Sequence, residues 1–292
     1  MEPSSVQGVI VVTGAAGGLG SCIAAEIASS PQLAATYRGI YAVRNPSQTT
    51  ALSYALDQGR QRTTPHPHEI VSLDLEQFDS VRALATDLNQ RVATGNIPRI
   101  RALVLSAGYL ELENQRWLGN GLDATWTVNY LSQWLLTLLL LQSMDRENGR
   151  IVVLGSHTHE GELQQRLDRD PLLNNVAILG VDPGWMATAI SRRHPMYSVV
   201  SVVMPWVASF LSWMQPSGMY RTPGRSAKDV VAAMFDIGWI NGASPKGMYF
   251  KGAVRAEVSG EAQDVEKRRM VWKGSVKYAG LQHDDTLLLH WK

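Results

Sequence analysis

Val9-Ile10-Val11-Val12-Thr13-Gly14-Ala15-Ala16-Gly17-Gly18-Leu19-Gly20 stands near the start of the chain and runs directly into Ser21-Cys22-Ile23-Ala24-Ala25. The β-branched run reads as a strand buried on both faces, and the alanine-rich stretch as the opening of a helix. The glycines between them suit a tight turn and a backbone that must come close to a ligand, where a side chain would intrude. A helix N-terminus directed at such a turn stabilises a pyrophosphate. Strand, glycine turn and helix in this order make a dinucleotide-binding unit. Thr13, Gly14, Gly18, Leu19 and Gly20 are its candidate cofactor contacts.

Working outward, short β-branched runs alternate with longer helical patterns, which is the signature of a parallel sheet covered on both faces. Strands are expected at Val9–Thr13, Gly39–Val43, Glu69–Leu73, Ala102–Ser106, Ile151–Leu154, Val176–Val181 and Met248–Phe250. Helices are expected to begin near Gly18, Ser47, Phe78, Asp123 and Arg225, with Thr125–Met144 buried on several sides. The fold class is therefore α/β: a doubly wound, Rossmann-like parallel sheet of about seven strands. With 292 residues and 45% hydrophobic content, one domain over 1–292 is expected. Within it, residues 185–224 break the alternation with Trp, Met and Pro and are read as a C-terminal substrate cap. The segment Glu261–Tyr278 reads as a charged helix whose run Glu266–Arg269 faces solvent.

A formal net charge of +1 excludes the broad basic field of a nucleic-acid binder. The single cysteine, Cys22, cannot close an internal disulfide, and the N-terminal residues fit no signal peptide, so a cytoplasmic protein is expected. The apolar stretch Tyr197–Met214 contains Pro205 and is short for a membrane span. It is read as a flap over a pocket, with membrane-surface contact as the lesser reading.

In open sheets of this type the ligand lies beyond the carboxyl ends of the strands. The second strand ends in Arg44-Asn45, and no acidic residue occurs between Glu26 and Asp57 to receive a ribose 2′-hydroxyl. A guanidinium there pairs with a 2′-phosphate, which favours NADP over NAD; the alternative is a solvent-facing charge at a strand end.

Thr13-Gly14-x-x-x-Gly18-x-Gly20 resembles the cofactor motif of the short-chain dehydrogenase/reductase family, and the resemblance continues along most of the chain. Asp74 resembles the family's adenine-contacting acid, and Ser106-Ala107-Gly108 its Asn-Ala-Gly turn with Ser in place of Asn. Asn129 in Val128-Asn129-Tyr130 is similar to the catalytic-site asparagine, and Ser156 at the end of Arg150–Ser156 to the catalytic serine. Pro183-Gly184, with Thr188 beyond it, resembles the segment at the nicotinamide end. The central helix and C-terminal third are similar in style to retinol-dehydrogenase-like and fungal biosynthetic members. The resemblance implies an NADP(H)-dependent oxidoreductase acting on a carbonyl or alcohol, with Asn129 and Ser156 polarising the oxygen.

One departure bears on that activity. The family's Tyr-x-x-x-Lys pair has no counterpart: no tyrosine lies between Tyr130 and Tyr197, and no lysine precedes Lys228. A positioned general acid contributes about 100- to 10,000-fold, so the implied activity is expected to be impaired. Ser156, His157 and His159 are the candidate substitute proton sources; a non-redox scaffold or isomerase/cyclase-like descendant, or a truncated inactive form, is the alternative reading. His66-x-His68 and His157-x-His159 resemble metal pairs but lack a recognisable further ligand, so no metal is expected. Trp185, Trp206 and Trp213 in the cap point to a small apolar metabolite of bulky shape, or to packing alone. Tyr109, Glu111 and Glu113 are candidates to face the pocket. In the family the two helices flanking the serine strand commonly build the oligomer interface, so with the second largely missing the oligomeric state is not carried over.

Overall fold

The computed structural model describes residues 6–60, 65–111, 114–155, 160–184, 186, 221–235, 245–252 and 254–292. Among them lies one eight-stranded sheet in the order β3-β2-β1-β4-β5-β6-β7-β8. The strands are β1 (Gly8–Thr13), β2 (Tyr37–Val43), β3 (His68–Ser72), β4 (Ile100–Leu105), β5 (Arg150–Leu154), β6 (Ala177–Asp182), β7 (Tyr249–Lys251) and β8 (Val254–Ala256). All neighbours run parallel except β7 and β8, which form an antiparallel pair. The order reverses at β1 and β4, so the crevice of a doubly wound sheet opens between their carboxyl ends.

The expected doubly wound sheet of about seven strands is present, with eight strands among the described residues. The added strand Val254–Ala256 is short and largely exposed, so no buried alternation marks it in the sequence. The tail is corrected from one helix to two, Gly260–Gln263 and Val265–Ala279. Asp264 separates them because its carboxylate accepts from the backbone N–H groups of Glu266 and Lys267 and so caps the second. Glu266, Lys267 and Arg269 are exposed as expected, while Arg268 turns in over Gly161.

Side chains alternate along the central strands, and both sets are buried, which produces two cores. Ile10 and Val12 point to α1 (Gly18–Ser29), α2 (Thr50–Arg60) and the helix Pro223–Phe235. Val9 and Val11 point to the other face, where α3 (Phe78–Ala93) and the central helix lie. The central helix changes pitch along its length. It begins at Ala124–Trp126 behind the capping carboxylate of Asp123, widens to a π-turn over Thr127–Leu131, returns to α over Ser132–Leu140 and tightens at Leu141–Ser143.

The crossover from β5 to β6 uses the short helix Glu160–Asp168, whose Leu163 and Leu167 are buried. Beside it, the helix Val265–Ala279 packs on the central helix. Trp272, 1% exposed, meets Trp134 edge-on with ring centroids 5.1 Å apart, and Tyr130 Oη lies 2.7 Å from Ser275 Oγ. The Arg166 guanidinium covers Trp272 at 4.3 Å, and the Trp272 indole donates to the carbonyl of Trp291 at 2.6 Å. The C-terminal segment is thereby locked onto the face where the central helix lies. No helix among the described residues is long and apolar enough to cross a membrane, and Tyr197–Met214 lies outside them.

Candidate dinucleotide-binding site

The site is built from the turn after β1. Gly14 has φ +64, a conformation that costs other L-residues, and a Cβ there would stand 2.6 Å from the Ala107 Cα. A Cβ on Gly20 would stand 2.4 Å from the Gly14 carbonyl oxygen. Both positions therefore require glycine for close backbone packing. Helix α1 starts behind Gly17 with no capping side chain and no acid in its first turn. Its leading N–H groups are thus left to whatever anion the turn holds.

Thr13 supports this turn from beneath. Fully buried, its hydroxyl accepts from the backbone N–H groups of Ser106 and Ala107 at 3.0 and 3.1 Å and donates to Gln133 Oε1 at 3.0 Å. Gln133 Nε2 in turn donates to the Ala107 carbonyl at 3.0 Å. Strand β1, the Ser106-Ala107-Gly108 turn and the central helix are joined through one hydroxyl. Thr13 therefore shapes the site without lining it.

A crevice of about 340 Å³ opens above these elements, within the roughly 300–1,000 Å³ of small-molecule sites. Of the candidate cofactor contacts, Gly14, Gly18, Leu19, Gly20, Arg44, Asp74, Ser106, Ala107 and Gly108 line it. Asp74 shapes the loop after β3 by accepting from the Glu76 N–H at 3.0 Å. The Leu75 carbonyl is held by Ser132 Oγ at 2.6 Å, which ties this loop to the central helix.

Asn129 sits in the π-turn, a distortion common at functional positions. Its amide is engaged at both ends by one residue: Tyr109 N–H donates to Oδ1 at 2.6 Å, and Nδ2 donates to the Tyr109 carbonyl at 2.7 Å. The expectation that Asn129 polarises a substrate oxygen thus meets a geometry in which it fixes the loop after β4. At the end of β6, Asp182 Oδ1 accepts from Gly184 N–H at 2.8 Å, and Ser226 Oγ donates to the Pro183 carbonyl at 2.7 Å. Pro183 and Gly184 are thereby pinned just beyond the carboxyl end of β6, outside the lining of the crevice. Ser156, His157, His159, Trp185, Thr188, Trp206, Trp213 and Glu113 lie outside the described residues.

Two lining or rim residues escape the motif reading. Glu76 lies two residues beyond Asp74, and Arg116 is carried on the loop after β4. Arg116 holds Glu76 by both oxygens, at 3.1 and 2.5 Å, donates through Nε to Tyr109 Oη at 3.1 Å, and stacks over that ring at 5.1 Å. Those hydrogen bonds, the one to Glu76 foremost, push the Arg116 pKa upward and keep it charged. Arg44 lies 3.7 Å from the same Glu76 oxygen. Tyr109 lines the crevice and donates its hydroxyl to Glu111 at 2.9 Å. Inspection beyond each strand end reaches Glu76, whereas nothing in spacing links it to a residue 40 positions away.

The glycine cradle, the uncapped helix and the guanidinium at the end of β2 fit the pyrophosphate and adenosine portions of a nicotinamide dinucleotide. A family model described as short chain dehydrogenase matches residues 8–166, more than half the chain. The short-chain dehydrogenase iccH of Talaromyces variabilis is 35% identical, over 98% of this chain and 99% of its own length. That alignment spans 364 positions against 292 residues here, so the relative carries segments without counterpart in this chain. Polyprenol dehydrogenase of Mus musculus is 26% identical over 97% of this chain and 87% of its own. Among solved structures, a Pseudomonas aeruginosa RhlG/NADP active-site complex superposes with a TM-score of 0.57 at 18% identity, covering 86% of this chain and 97% of that one.

Proposed function

Because the chain belongs to the short-chain dehydrogenase/reductase family, we propose that it is an NADP(H)-dependent oxidoreductase. Its substrate is the carbonyl or alcohol of a bulky apolar metabolite, and its rate is lowered by the missing Tyr-x-x-x-Lys pair. The observation that carries the reading is the crevice that joins the Gly14–Gly20 cradle to Arg44 at its rim.

A nicotinamide dinucleotide bound there supplies or accepts a hydride. The backbone between Gly14 and Gly20 and the start of α1 hold the pyrophosphate, and Arg44 pairs with the 2′-phosphate. Asn129 keeps the Ser106–Tyr109 loop in place, and Thr188, four residues after the pinned Pro183-Gly184 turn in sequence, is the residue the family resemblance assigns to the nicotinamide. Ser156, next in sequence to Gly155 at the end of β5, polarises the substrate oxygen. Holding reactants together supplies a large share of such a rate enhancement, and this share is retained without a general acid. The proton comes from water or from His157 or His159. The mouse relative is named for a polyprenol, a bulky apolar alcohol, which fits the proposed substrate class.

The test is the loss of NADPH absorbance with a panel of apolar ketones and aldehydes. The expected result is slow turnover that falls further in Ser156→Ala. No turnover with any carbonyl, or turnover indifferent to Ser156→Ala, contradicts the reading.

A further inference from the structure

Three charges meet at the Arg44 end of the crevice. Glu76 is only 18% exposed at its side chain and is flanked by two guanidinium groups. Arg116 takes both of its oxygens, while Arg44 stands off at 3.7 Å, an ion pair without hydrogen-bond contact. Arg116 reaches Glu76 from the loop after β4, and Glu76 follows β3, so the pair spans two rims of the site. Arg116 is itself held in this direction by Tyr109, through the hydroxyl and the ring face.

The charge balance has a consequence for the ligand. With Arg116 in place, Glu76 is neutralised by a bidentate partner, and Arg44 keeps its charge for an incoming anion. Without Arg116, Glu76 is left with Arg44 alone. The local charge then sums to zero, and a carboxylate stands where a phosphate dianion would have to approach. A bare carboxylate this close to Arg44 is instead suited to accept from a ribose 2′-hydroxyl, since an ionised carboxylate only accepts.

We infer that the Arg116–Glu76 pair sets the dinucleotide preference of this crevice, with Arg116 as a positioning residue that frees Arg44 for a 2′-phosphate. The inference rests on the reading that Arg44 receives that phosphate. Glu76 is thus a latent NAD-type acid, masked by an arginine from the opposite rim.

The experiment is calorimetric titration of the full chain with NADP⁺ and with NAD⁺, using wild type, Arg116→Gln, Arg116→Lys and Arg116→Gln combined with Glu76→Gln. Arg116→Gln is expected to lower the NADP⁺-to-NAD⁺ affinity ratio about tenfold or more. Arg116→Lys retains most of the ratio because the charge remains. The double variant returns it to near the wild-type value, since the unmasked acid is gone, and this recovery also shows that the chain is folded. A ratio unchanged in Arg116→Gln, or lowered equally in the double variant, overturns the inference while leaving the NADP reading standing. A wild type without preference for NADP⁺ overturns that reading itself.

Discussion

Asn129 and Tyr109 form a closed two-hydrogen-bond ring, side-chain amide to backbone amide, with distances of 2.6 and 2.7 Å. The pair joins the π-turn of the central helix to the loop that lines the crevice, so the helix distortion and the site geometry are one feature. Replacing Asn129 with Ala leaves the N–H and carbonyl of Tyr109 without these partners. The expected cost is about 2–4 kcal/mol in urea unfolding, accompanied by weaker dinucleotide binding. Asn129→Asp, which accepts but does not donate when ionised, should fall between wild type and Ala. A Cm equal to wild type in Asn129→Ala would falsify the structural role.

Gly14→Ala is expected to cost at least about 2 kcal/mol, because φ is +64 and the new Cβ would press on the Ala107 backbone. The same change displaces the Ser106–Gly108 turn, so dinucleotide affinity should fall together with Cm. Urea titration and calorimetry on the same sample check both effects; stability without loss would mean the turn relaxes at no cost.

His66 gives the fold an acid sensitivity. Its ring lies against His68, its Nε2 is 2.8 Å from Tyr41 Oη, and burial foremost, then the charge of His68, pushes its pKa down to about 4 from an ordinary 6.5. The unfolded chain therefore binds the proton at a higher pH than the folded one. Stability falls as pH drops from about 6.5 toward 4, with a slope approaching about 1.4 kcal/mol per pH unit from this group. His66→Gln should flatten that part of the curve of Tm against pH. An unaltered acid limb would show that other groups carry it.

Trp272→Ala should cost about 3–5 kcal/mol, because the indole is fully enclosed between Trp134, Arg166 and the Trp291 carbonyl. The measurement is Cm in urea. A loss below about 1 kcal/mol would mean that the C-terminal helix is only loosely attached to the central helix.

The parts of this fold legible in the sequence are those where burial on both faces imposes an unbroken β-branched run. Val9–Val12 and Ile151–Val153 are such cases, and the first runs directly into the glycine turn that lines the crevice. The short helix Pro31–Thr36 escaped because Ser30-Pro31 reads as a turn, although Ser30 accepts from Leu33 N–H and Pro31 starts the helix. The π-turn at Thr127–Leu131 left no trace, since a helix buried on several sides shows no polar–apolar register from which one extra residue would stand out. In the site, the glycines were legible through their own backbone demands, whereas Glu76 and Arg116 became partners only when two loops from different strands met.

The most direct test of the central claim is calorimetric titration of NADPH into the purified chain beside Gly14→Val and Arg44→Ala. One-to-one saturation is predicted for wild type, tighter than for NADH by about tenfold or more. Binding should disappear in Gly14→Val, and the preference for NADPH alone should disappear in Arg44→Ala. Folded wild-type protein that gives no heat with either nucleotide at millimolar concentration, or Gly14→Val that binds as wild type does, would contradict the account.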